Sequence, residues 1–438
     1  MMPKLTGHSV MNALKHLRLY CNQSVSAWQV CVKYFVPALA LLLAGVAAGR
    51  ADDSLEIPTI KIGMSTALTG PARELGREVR AGVLAAFHET NSSGGVAGRK
   101  LELVAKDDGY EPSRTIVNMR YLVEQEHVLA ILGNVGTPTA VAAIPIANST
   151  KTPFVGAYTG AGVLRKSPPD RYVINYRASY EEETAAMVAA LIEKAGLLPQ
   201  EIAFFTQRDA YGDAGFSGGI RALKRFGLRD TSEIAHARYE RNTNLVEKGL
   251  AELVLHRRPV KAVIMVGAYD PCAKFIKLAK QNSFTPLFLN VSFVGAGALA
   301  RSLDTTGDGV IVTQVVPHPA NDSVLAIRYR AALSHVSEQQ AKPSHTSFEG
   351  YIAARILVKA IDQSVEDLSR ENLVQALENL GEFSLDSLSD LSLSAQDHQA
   401  SQKVWPTELR DSGVVPFEWS ELSSVEPGIA LQEGEAYE

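Results

Sequence analysis

From about residue 57 onward, short apolar runs alternate with segments whose apolar residues recur every three or four positions. Residues 60–64 (IKIGM) read as a strand. In 79–91, Val79, Val83, Ala86 and Phe87 fall on one helical face. Residues 100–106 (KLELVAK) alternate apolar and polar, as a half-buried strand does. The same reading predicts a helix at 114–125, a buried strand at 128–132, a helix at 139–149 and a short strand at 153–156. The order then recurs, with strands at 201–205, 234–239, 260–266 and 287–290. Helices are expected at 218–226 (stopped by Gly227), 245–256 and 272–281. Repeated strand–helix units predict an α/β protein with mostly parallel sheets covered by helices. Two such series of similar length predict two lobes of similar fold.

A third portion returns to this scaffold. It holds a strand at 309–315, a helix at 323–336, an amphipathic helix at 348–361 and another helix at 370–380. Beyond 381 the chain is rich in Ser and Leu with short alternating runs. A chain that builds one lobe, then the other, then returns must cross between them several times. Such crossings make a hinge, and a hinge over a cleft suits ligand closure. The expected divisions are a leader over 1–51, a first lobe over 57–175 and 317–390, a second over 176–316 and 391–425, and a tail over 426–438.

The leader is read from charge and hydropathy together. Lys4, Lys15, Arg18 and Lys33 precede an apolar run at 34–48 (YFVPALALLLAGVAA). The run is short for a membrane span, and Gly49-Arg50-Ala51 places small residues around a cleavage point, so the mature chain is expected from about Asp52. An uncleaved signal anchor, or a start at Met11, is the other reading. Of three cysteines, Cys21 and Cys31 lie in the leader and Cys272 alone in the mature chain, so no internal disulfide is expected. The 438 residues carry a net charge of −5. That balance lacks the basic surplus a nucleic-acid partner requires.

A wider pattern then emerges. Thr69-Gly70-Pro71-Ala72, Gly76, the stretch from Asn91 through 94–101 (GGVAGRKL), Asp107-Asp108, Asp209-Ala210-Tyr211-Gly212, Gly267-Ala268-Tyr269 and 397–401 (DHQAS) occur in a fixed order. From about 57 to 419 the chain resembles leucine/isoleucine/valine-binding proteins, the type I periplasmic solute-binding proteins of ABC importers. The resemblance implies two Rossmann-like lobes joined by three crossovers, and a periplasmic location. It implies no cofactor, no metal and no catalysis. The implied partners are a small-molecule ligand and an ABC permease in the inner membrane. The ligand would be a branched-chain amino acid or a related small carboxylate or amide.

The resemblance also implies contacts. The loop 133–137 (GNVGT) would hold the ligand carboxylate, with Thr137 in the hydroxyl position. A helix starts there, and helix N-termini attract anions; Thr137 as a plain helix cap is the competing reading. Tyr158, Thr159 and Gly160 are taken together for the next contact, because the register allows a slip of one. Tyr211 and Tyr269 match two aromatic positions that close over the ligand. Where amino-acid-binding members place a Glu for the α-ammonium, this chain has Phe293. A Phe side chain has no acceptor for a buried ammonium, although a cation–π contact is open to it. The expectation therefore moves toward an organic acid, an aromatic carboxylate or an amide.

Other chemistries fit less well. Residues 215–219 (GFSGG) match the Gly-x-Ser-x-Gly pattern, with Asp304 and His318 following in hydrolase order, but the strand before Ser217 ends about ten residues too early. Residues 295–300 (GAGALA) lack the strand and acid of a dinucleotide site. Asp107-Asp108 before Gly109 reads as a turn. Glu181-Glu182-Glu183 reads as decoration of a helix start. A ligand-sensing subunit serving a receptor kinase remains the alternative to transport.

Overall fold

The structure, a computed structural model, describes residues 59–337 and 341–424. The expected leader and tail lie outside these residues. Five strands build the first sheet: β1 (Thr59–Thr66), β2 (Lys100–Asp107), β3 (Ala130–Leu132), β4 (Phe154–Val155) and β5 (Val173–Ile174). They are all parallel, in the order β2-β1-β3-β4-β5. The links between them include α1 (Arg73–Ser92), α2 (Pro112–Glu124) and α3 (Thr137–Ser149).

The second lobe follows the same logic. Its strands are β6 (Ile202–Gln207), β7 (His236–Tyr239), β8 (Ala262–Val266), β9 (Leu287–Asn290) and β10 (Ile311–Gln314). Its helices are α4 (Tyr180–Glu193), α5 (Ala210–Arg225), α6 (Glu247–Val254), α7 (Tyr269–Gln281) and α8 (Ala296–Leu303). Helices α9 (Val324–Leu333), α10 (His345–Gln363) and α11 (Arg370–Glu378) come next; α9 and α10 pack on α1 of the first lobe. Antiparallel strands β11 (Gly381–Leu385) and β12 (Leu388–Leu393) form a hairpin. Strands β13 (Trp405–Arg410) and β14 (Gly413–Pro416) extend the second sheet to β14-β13-β10-β9-β8-β6-β7. Strands β6 and β8 are buried at every position, as in a sheet covered on both faces, and β8 is an unbroken apolar run.

Several boundaries differ from the sequence expectation, α1 starting at Arg73 instead of 79 among them, and two of the differences have identifiable reasons. Helix α5 begins at Ala210 instead of 218, because the Asp209 carboxylate caps it by accepting from Tyr211 N at 2.9 Å. The tail from 381 resolves into four strands whose short alternating runs gave no individual bounds.

The chain crosses between lobes after β5, after β10, and between β12 and β13. The crossings are bonded to one another. Asn175 N donates to His398 O at 2.7 Å, Ala400 N to Asn175 O at 2.9 Å and Ser401 N to Tyr176 O at 2.8 Å. The Tyr176 hydroxyl donates to Val315 O on the second crossing at 3.0 Å. The crossings leave the carboxyl ends of both sheets facing one cleft, where open α/β sheets take ligands.

Candidate functional site

Two strand ends of the first lobe meet in this cleft. After β3 the chain turns through Gly136, whose φ of +103° is a backbone shape that glycine adopts without strain. A Cβ there would lie 2.0 Å from the Tyr110 ring. Thr137 is thus the first residue of α3, and no side chain caps that helix. The Thr137 hydroxyl instead meets the Thr159 hydroxyl at 2.7 Å, and both residues are buried. The loops after β3 and β4 are zipped by Tyr158 N to Asn134 O (2.7 Å) and Gly136 N to Tyr158 O (3.2 Å). Two hydroxyls therefore stand at a helix start, where unpaired N–H groups and positive potential favour an anion.

An aromatic cluster stands beside them. Phe293, in the single turn Ser292–Val294 after β9, is completely buried. Its ring centre lies 4.5 Å from that of Tyr211, 5.5 Å from Tyr158 and 6.2 Å from Tyr110. Tyr180, the first residue of α4, packs on Tyr211 at 5.2 Å. Tyr158 reaches across the lobes, its hydroxyl donating to Ser292 O at 3.1 Å and lying 3.2 Å from Thr346 Oγ1. Tyr211 donates to Gly267 O at 3.3 Å. Gly160 accepts from Tyr180 N at 2.8 Å, and a Cβ on it would sit 2.6 Å from that nitrogen. Tyr269 opens α7 and is buried, its phenol pushed up to about 12 by burial and by Asp270. It shares none of the ring contacts of the Phe293 cluster among the described residues. Six of the seven residues singled out from the sequence thus form one neighbourhood, and Tyr269 flanks it.

The sequence did not single out the charged floor of this neighbourhood. Arg177, on the first crossing, is fully buried. Its guanidinium carbon lies 4.9 Å from the Tyr158 ring centre and 5.9 Å from that of Tyr180. It pairs with Glu183 at 3.3 Å and Glu349 at 3.5 Å, and donates to Ser292 Oγ. Burial opposes the Arg177 charge, but the two carboxylates hold its pKa above the usual guanidinium range. Burial pushes the Glu349 carboxyl up to about 7, against the pull of Arg177. Of the three acids read as decoration, Glu182 closes a capping box with Ser179 and Glu181 pairs with Arg221 at 2.7 Å. Glu183 differs: it turns inward and accepts from Ser292 N at 2.7 Å and Thr313 Oγ1 at 2.6 Å. The helical period could have revealed it, since Glu183 shares the buried face with Tyr180, Thr184 and Met187.

The hydrolase elements are not assembled. Ser217 is exposed in the middle of α5, where a strand-to-helix elbow would be needed. Asp304 accepts from Ser412 at 2.8 Å, and His318 Nε2 lies 3.1 Å from Val414 O. Asp107 accepts from Leu68, Thr69 and Gly109 amides, the bonding of a turn.

Comparison with known proteins agrees with this architecture. A family profile described as "Periplasmic binding protein" matches residues 59–413. A solved structure of a possible leucine/isoleucine/valine-binding protein from Rhodopirellula baltica superposes with a TM-score of 0.82 at 51% identity, covering 85% of this chain and 99% of that one. The leucine-, isoleucine-, valine-, threonine-, and alanine-binding protein of Pseudomonas aeruginosa is 30% identical over 286 residues, 63% of this chain and 72% of that protein. The Leu/Ile/Val-binding protein homolog 7 of Brucella suis is 26% identical over 345 residues, 74% of this chain and 81% of that one. With its two parallel-sheet lobes and a profile match across most of its length, the chain belongs to the periplasmic binding protein family.

Proposed function

We propose that this protein is the periplasmic solute-binding component of an ABC-type importer and takes a small carboxylate-bearing ligand between its lobes. The observation that carries this reading is the buried Thr137–Thr159 hydroxyl pair at the uncapped start of α3. A ligand carboxylate would replace that mutual bond and accept from both hydroxyls and from the Thr137 and Thr139 N–H groups, Pro138 having none, with the helix dipole favouring its charge. The ligand body would pack against Tyr158, Tyr211 and Phe293 as the lobes close, and the closed form would dock on the permease.

Family membership and the bonded hinge support binding by closure. The relatives' names point to branched-chain amino acids; Phe293, at the position implied for an ammonium-binding acid, favours a deaminated or aromatic acid within the same cleft. Segment 1–51 would direct export.

A thermal-shift panel of L-leucine, L-valine, 4-methylpentanoate, benzoate and leucinamide tests this reading. A ligand at one hundred times its Kd stabilises the fold by about 2.7 kcal/mol. The reading expects at least one carboxylate to raise Tm and leucinamide not to. It fails if no carboxylate raises Tm.

A further inference from the structure

Arg177 touches both lobes at once. On the first lobe it faces the Tyr158 ring at 4.9 Å and Glu349 of α10 at 3.5 Å. On the second it meets Glu183 of α4 at 3.3 Å and the Ser292 hydroxyl, one residue before Phe293. Glu183 in turn holds Ser292 twice, through its N–H at 2.7 Å and its hydroxyl at 3.0 Å. The backbone that presents Phe293 is therefore clamped to a buried ion cluster. Ser292 O, from the same turn, accepts the Tyr158 hydroxyl. Two guanidinium nitrogens, Nε and Nη1, have no hydrogen bond, so the grip on Glu183 and the Ser292 turn rests on Nη2.

We propose that Arg177 is a positioning residue for the ligand site: by gripping the Ser292 turn from below Tyr158, it sets the spacing of Phe293 and Tyr158 in the closed cleft and so selects the ligand body. This rests on the interlobe site proposed above. The planar guanidinium can serve several partners at fixed angles, which a lysine ammonium cannot reproduce. When the lobes part, Arg177 cannot keep both Glu349 and the Ser292–Glu183 pair at these distances, so its full set of partners exists only in the closed form. The spacing it enforces between the two rings then acts on the ligand at the moment of closure.

Two variants test this. Ser292→Ala removes the hydroxyl shared by Arg177 and Glu183 but keeps the amide bond to Glu183, so it spares the fold. Arg177→Lys keeps the charge and loses the planar fork. Benzoate and 4-methylpentanoate, one flat and one branched, are titrated calorimetrically into each variant and the wild type, and each protein is crystallised. The expected result is a change of at least about fivefold in the ratio of the two affinities, with the Phe293 ring displaced by about 1 Å or more from Tyr158. A purely structural role would lower Tm and weaken both probes by one common factor. That outcome, or a Phe293 ring unmoved in both variants, overturns the proposal. If neither probe binds the wild type while other carboxylates also fail, the carboxylate reading falls separately, and the position of Phe293 in the variant crystals alone decides the role of Arg177.

Discussion

Phe293→Ala separates lobe stability from lobe closure. Among the described residues the ring makes one aromatic contact within its own lobe, to Tyr211 at 4.5 Å, and two across the cleft, to Tyr158 at 5.5 Å and Tyr110 at 6.2 Å. Truncating a fully buried Phe costs about 3–5 kcal/mol in total. Aromatic pairs contribute about 0.5–1.5 kcal/mol each, so the two interlobe pairs account for about 1–3 kcal/mol of closure. Losing them shifts the closed-to-open ratio of the ligand-free protein by about 5- to 150-fold toward open. The remaining loss lowers the melting temperature. Small-angle X-ray scattering of the ligand-free variant reads the first effect as a larger radius of gyration, and calorimetry reads the second. A lowered Tm with scattering identical to wild type would refute the reasoning, because it would assign the whole Phe293 contribution to the core of one lobe.

Thr137→Val should weaken carboxylate binding by about 10- to 150-fold, the worth of a hydrogen bond to a charged group, while an amide of the same body, whose carbonyl accepts only a neutral hydrogen bond, loses about 2- to 10-fold; calorimetry with matched ligands checks it. Glu349→Gln should alter the pH dependence of stability. The Glu349 carboxyl titrates near 4.5 when unfolded and near 7 when folded, so across that window the folded chain holds a proton the unfolded chain has released. Stability from this group therefore falls as pH rises from about 4.5 to about 7, by up to about 3 kcal/mol, and denaturant titrations should show that slope reduced in the variant. Gly136→Ala should lower Tm and impair binding together, since its Cβ would meet the Tyr110 ring at 2.0 Å and its φ of +103° strains any other residue; a melt and a titration on one sample test it.

The strand–helix alternation made the lobes legible because each element carries its own period, as in β8, where every residue is apolar and buried. The resemblance picked out Thr137, Thr159 and Phe293, and the structure brings them together because each follows a strand and strand ends converge in this fold. Arg177 was not legible. It meets Ser292 across 115 residues of chain, and neither residue has a local pattern that announces the other. Tyr110 was hidden for a different reason: it lies in the turn after Asp107-Asp108, with φ of +64°, yet its ring is buried against Phe293. Turn composition foretold the backbone there and not the side chain. The start of α5 was missed because four glycines between 212 and 219 lower helix propensity, while tertiary packing favours them; a Cβ at Gly215 would lie 2.6 Å from Val266.

The central claim is that a carboxylate is held at Thr137 and Thr159. Isothermal titration of the wild-type protein with 4-methylpentanoate and with 4-methylpentanamide tests it most directly, because the two ligands share their apolar body and differ only in the group the site is said to bind. The account predicts that the acid binds at least about tenfold more tightly than the amide. Equal affinities, or tighter binding of the amide, would contradict it.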